Sequence, residues 1–186
     1  MKNNGGKVAV YKENLYKPMP GYRFIASNTD RSRYYVGELN GKSSKQAYMD
    51  ALHISESNII NQTFHNPLGK MNGQDICIIS LKEVSGNGLC CYRQVNDSDV
   101  LVLLEEQDYN EILDETLQRI RRDFNHISGV FSINCVFRYL LFSQEHHMED
   151  YLKTMSTLGE HAGLIGFGEH YNQQFVNQTM TCVVFE

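Results

Sequence analysis

The sequence predicts an α+β domain: a mixed, largely antiparallel sheet flanked by helices, with one βαβ crossover near the C-terminus. Three observations predict it. Short apolar runs rich in β-branched residues alternate with turn residues between Ile76 and Glu105. Two helical stretches each follow a capping box, Ser43 with Gln46 and Asp108 with Glu111. Two apolar runs, Gly129–Ile133 and Gly163–Phe167, flank an amphipathic helix, and a helical crossover makes such strands parallel.

Taken in order, Met1–Gly6 is a polar, glycine-rich lead-in expected to be loose. Val8–Tyr11 reads as a short strand. Lys17-Pro18-Met19-Pro20-Gly21 reads as a turn-rich break, and Tyr22–Ala26 and Tyr34–Leu39 as strands. Behind Ser43, the residues Ala47, Tyr48, Ala51 and Leu52 fall at helical spacing. His53–Gln74 has no clear period, and its Asn66-Pro67-Leu68-Gly69 reads as a loop. Ile76–Lys82, Leu89–Val95 and Val100–Glu105 then read as a three-stranded antiparallel meander. Ile112, Leu113, Leu117, Ile120 and Phe124 stripe the helix that Asp108 opens. Gly129–Asn134 is a strand, Gln144–Leu158 a helix, and Ala162–Phe167 and Phe175–Phe185 the closing strands.

The 186 residues suffice for one sizeable domain or two small ones, and a 41% hydrophobic content provides for a core. A formal charge of −5 with scattered basic residues argues against nucleic acid as a partner. No apolar run is long enough for membrane insertion, and the start of the sequence lacks a signal-peptide pattern. The five cysteines, most of them in apolar runs, read as reduced thiols. The expected location is therefore cytoplasmic. Neither a dinucleotide fingerprint, a phosphate loop nor a metal-ligand spacing is present, so no cofactor is expected.

Parallel strands ending at Asn134 and Phe167 would bring Asn134, Cys135, Arg138, Gly166, Gly168 and Glu169 to one sheet edge, where open α/β sheets bind ligands. Cys135 admits two readings. Helix N-terminal amides and Arg138 would lower its pKa and make it a nucleophile with His170 as base, or it is a small packed residue. Arg138, embedded in Val136-Phe137-Tyr139-Leu140, needs an anion. Glu169 would supply one as an internal brace, or the guanidinium would grip a ligand carboxylate. Gly163, Gly166 and Gly168 would mark a bulge or a ligand's close approach.

In order along the chain, Gly37-Glu38-Leu39-Asn40-Gly41, the helix with Ala47 and Tyr48, Asn66-Pro67-Leu68-Gly69, Cys135-x-x-Arg138, Gly168-Glu169, and Asn177 with Thr179 resemble the C-terminal half of FIST domains. That module occurs in bacterial signal-transduction proteins and some F-box proteins. The resemblance covers roughly residues 36–185. It departs at Gly163-Leu164, where the family often has Gly-Phe, and at Gly166, where it has a Thr or similar residue. It implies a non-catalytic sensory domain that binds an amino acid or other small carboxylate, with Asn177 added to the ligand-binding set. It also implies that residues 1–35 are a tail and junction strands, ahead of a sensing domain over 36–186. The FIST N-terminal half or a downstream signalling effector would be the protein partner. A Cys135-dependent thiol enzyme and a pocketless interaction scaffold are the alternatives.

Overall fold

The computed structural model describes residues 5–73 and 75–186. Met1–Asn4 of the lead-in and Gln74 lie outside the described residues. The chain divides into two compact units: Met1–Leu15 with Gln107–Glu186, and Tyr16–Glu106. Strand β1 (Val8–Asn14) begins the first, and the chain then threads the whole second unit before returning.

That second unit comprises β2 (Tyr16–Asp30), β3 (Tyr35–Leu39), β4 (Lys42–Ser43), α1 (Ser44–Leu52), a 3-10 turn at Glu56–Asn58, α2 (Ile59–Gln62), β5 (Leu68–Asn72), β6 (Asp75–Ile79), β7 (Leu81–Ser85), β8 (Gly88–Cys91) and β9 (Val100–Glu106). The strands form an antiparallel sheet in the order β6-β5-β9-β2-β3-β8-β7, with β4 beside β3. Its two outermost strands, β6 and β7, are separated in sequence only by Ser80, so the sheet must curl until its ends approach. Tyr48, Leu39, Ile59, Leu68, Leu101 and Leu103 are among the side chains of its core. Ser43 Oγ accepts from the Gln46 amide at 3.3 Å, as the capping box predicts.

Three expectations fail here. The expected break at Lys17–Gly21 lies inside β2, which continues past it with a register shift between Pro18 and Arg23. A bulge absorbs the turn-forming residues. Leu68-Gly69 is not loop but the start of β5, held between β6 and β9. The meander is a hairpin only at β7–β8; β8 continues to β3, whereas β9 sits between β5 and β2.

The first unit resumes with α3 (Tyr109–Asp123), β10 (Gly129–Cys135), α4 (Val136–Gln144), α5 (Met148–Ser156), β11 (Glu160–Gly166), β12 (Glu169–Tyr171), β13 (Gln174–Val176) and β14 (Thr179–Phe185). Asp108 caps α3 by accepting from the amides of Asn110 and Glu111 at 2.8 and 3.1 Å. Leu113, Leu117 and Ile120 form its buried stripe. The sheet order is β1-β14-β10-β11, and β10 and β11 are parallel, joined by the expected crossover. Two helices make that crossover rather than one, and α5 starts at Met148, not Gln144. The last expected strand is broken at Asn177-Gln178, where Gln178 takes φ 52°. With 27% helix, 45% strand and mostly antiparallel pairing, the fold is α+β.

Candidate functional site

Strand alternation sorts the four-stranded sheet into two faces. The register aligns Glu13, Met180, Asn134 and Ile165 in one row across β1, β14, β10 and β11. These residues share a face with Tyr11, Ser132 and His161, and Tyr151 of α5 packs on it. Cys135 is in register with Gly166 and alternates to the other face, which β12 covers at that end.

The expected convergence therefore splits. Arg138 Nη2 bonds Glu13 Oε1, and both residues are essentially inaccessible. The guanidinium also lies over the rings of Phe142, at 4.6 Å, and Tyr151, at 5.5 Å. Its anionic partner is thus Glu13, not Glu169. The physical reason is chain direction: α4 leaves the end of β10 on the helix-covered face, where β1 presents an inward acid.

Cys135, Gly166, Gly168 and Glu169 do come together, on the opposite face. A Cβ at Gly166 would meet Glu169 Oε1 and Ile133 Cγ2 at 3.2 Å, so the carboxylate fills the room that glycine leaves. Gly168 has φ +136°, and a Cβ there would strike the Phe175 ring at 2.6 Å. The Cys135 thiol and the amides of Gly168 and Glu169 approach the Glu169 carboxylate, yet among the described residues neither of its oxygens has a partner of hydrogen-bond geometry. Burial pushes Glu169 up to about 7. Burial, and next the Glu169 charge, raise the Cys135 thiol above its ordinary value, outweighing the amides of Gln178, Phe137 and Arg138. The expected lowering of that pKa is therefore reversed. His170 is exposed and packs edge-on against Phe175 at 5.3 Å. Asn177 is buried in the turn between β13 and β14, beside Gln178, whose backbone amide serves Cys135.

Asn134 belongs to the helix-covered face and to a constellation missing from the sequence reading. Its Nδ2 donates to Tyr151 Oη at 3.0 Å, and Tyr151 Oη donates to Ser132 Oγ at a long 3.4 Å. Ser132 Oγ also shares a hydrogen bond with His161 Nε2, 2.9 Å away, whose direction follows the imidazole tautomer. Burial pushes His161 below its ordinary value, which suits a neutral imidazole. Gly163 is required here because a Cβ would lie 2.6 Å from Ser132 Oγ. A cavity of about 300 Å³ opens beside this chain of groups, lined also by Met148, Leu152, Leu164 and Ile165. Asn134 is 6% exposed, and its Oδ1 is buried with no hydrogen-bond partner among the described residues. The signal was available: Ser132 and Asn134 are polar residues at alternate, inward positions of an otherwise apolar strand.

An α+β chain whose parallel crossover carries paired polar sites is the class defined by this geometry. The profile of the FIST C domain matches residues 45–172, more than half of the chain, and the chain belongs to that family. The family is one of sensory domains in signal transduction. The matched stretch includes α1, Asn66–Gly69, Cys135, Arg138 and Glu169, but not Gly37–Gly41, Asn177 or Thr179. No curated protein and no solved structure matches the chain. Among the described residues, no helix is long and apolar enough to cross a membrane.

Proposed function

We propose that this chain is a non-catalytic sensory domain whose input is a small ligand bound in the cavity beside Asn134. The observation that carries this reading is the open recess of about 300 Å³, lined by Ser132, Asn134, Tyr151 and His161 together with apolar side chains. That size is near the lower end of small-molecule sites. Occupancy would carry a signal only by favouring one conformation over another. The sequence-based choice of Arg138 and Glu169 to hold an amino acid or carboxylate loses its support, because Glu13 already neutralises Arg138 and Glu169 lies on the other face.

Thermal-shift measurements over amino acids, organic acids and neutral compounds test this reading. Stabilisation by a compound is expected. It should vanish in Leu152→Trp, which fills the cavity mouth, while the unliganded midpoint moves little. A flat response in the parent chain refutes ligand sensing at this cavity.

A second reading concerns the effector. β11 is the outermost strand of its sheet, and its Leu164 and Ile165 are 48% and 42% exposed. An unpaired strand edge with apolar side chains suits a protein partner.

A further inference from the structure

Cavity and strand edge coincide along β11. Every residue from His161 to Ile165 lines the recess of about 300 Å³. Successive side chains of a strand point to opposite faces, so a recess over one face would meet only every second residue. This one therefore runs along the outer edge of the strand. Among the described residues β11 pairs with β10 alone, so the N–H and C=O groups of its outer side are unpaired. Met148 and Leu152 of α5 and Tyr139 of α4 also line the recess. The usual guards of an edge are missing: β11 and the Phe167 after it hold no Lys, Arg or Pro, and the register with β10 is unbroken. β1, the opposite edge, carries Lys12.

Resting on the second reading above, that β11 serves a protein partner, we propose that an extended peptide segment of the partner adds to β11 as a further strand and drops an uncharged aliphatic side chain into the recess. The occupant is a strand because an extended chain satisfies a row of unpaired N–H and C=O groups. It is a short segment rather than a second globular face. The seven residues of β11 span about 23 Å, and a seam of that length, one strand deep, falls short of the roughly 800 Å² per partner of a stable complex. The inserted side chain is uncharged because, among the described residues, no Asp, Glu, Lys or Arg lines the recess. It would lie against Met148, Leu152 and Ile165. A small ligand in the same recess would exclude it.

The test pans a display library of random dodecapeptides against the full chain and measures the enriched peptides, made synthetically, by fluorescence anisotropy. Enriched sequences should carry uncharged aliphatic residues at every second position. Backbone N-methylation of such a peptide should weaken binding at least about tenfold, because it removes the donors that pair with β11. Leu164→Lys, a charge on the exposed edge, should weaken it similarly while the unfolding midpoint stays put. If that variant unfolds, Ala162→Lys, also at an exposed position, serves instead. Leu152→Trp should weaken binding by filling the recess. Loss in Leu164→Lys without loss on N-methylation overturns strand addition and leaves β11 a partner surface. Binding unchanged in Leu152→Trp overturns the side-chain pocket. A dimer in sedimentation that Leu164→Lys dissolves overturns the peptide in favour of a second copy. No enrichment, or binding indifferent to the β11 variants, overturns the reading of β11 itself.

Discussion

The two faces of the four-stranded sheet solve the burial of polar groups in opposite ways. Beneath α4 and α5, Arg138 is matched by Glu13 and by two aromatic rings, and hydrogen bonds link Asn134 through Tyr151 and Ser132 to His161. On the other face, Glu169 is buried with no hydrogen-bonded partner among the described residues, and burial pushes its pKa up to about 7. The first arrangement holds a fixed charge state. The second makes stability depend on acidity. Buried ionisable groups are tolerated either by pairing or by neutralisation, and this domain uses one on each side of the same strands.

The largest effect should come from breaking the pair. Arg138→Ala would strand the Glu13 carboxylate and cost about 3–5 kcal/mol in urea unfolding. Replacing both partners, as Arg138→Met with Glu13→Leu, should recover most of that loss. If the single variant is near neutral, the pairing described for the helix-covered face is wrong.

Next in size is the response to pH. Glu169 has its folded pKa raised from 4.5 to about 7, so the folded state binds more protons than the unfolded state between those values. Stability should fall as pH rises through that window, by about 2 kcal/mol from about pH 5 to about pH 8. Glu169→Gln should flatten this part of the profile. A parent profile that instead climbs through the window, with no change in Glu169→Gln, would contradict the picture of a lone buried acid.

Removing the phenol is smaller. Tyr151→Phe leaves Asn134 Nδ2 and Ser132 without that partner and should cost about 1–2 kcal/mol by chemical denaturation. The smallest effect belongs to the surface. Lys153, which pairs with Glu149 at 2.8 Å where both side chains are largely exposed, should tolerate Lys153→Ala with no resolvable change in the unfolding midpoint. A loss as large as that of Tyr151→Phe would erase the distinction between buried and exposed polar contacts.

Much of this arrangement was legible in the sequence where the signal is local. The capping boxes at Ser43 and Asp108 appear in the structure, as does the parallel pairing of β10 and β11. That pairing alone brings Cys135 and Gly166 into register, with Glu169 beside them. What escaped was long-range. Glu13 lies 125 positions before Arg138, and nothing near Arg138 signals that β14 joins β1 to the sheet of β10. The clue sat in β1 itself, where Tyr11 and Glu13 alternate inward and an inward acid requires a partner. The curled sheet escaped for a related reason. Ser80 divides one apolar run into strands at opposite ends of the sheet order, and periodicity cannot reveal such a division. Near Pro18, tertiary pairing overrode sound turn chemistry.

β14 follows every other strand of its sheet in the chain, yet it occupies an interior place between β1 and β10. Those two neighbours have no common edge to join until it arrives. During synthesis β10, α4, α5 and β11 all emerge before β14 can link them to β1. Closure of this unit is thus a late event that spans almost the whole polypeptide, the kind of topology that slows folding and leaves strand edges open in the interim.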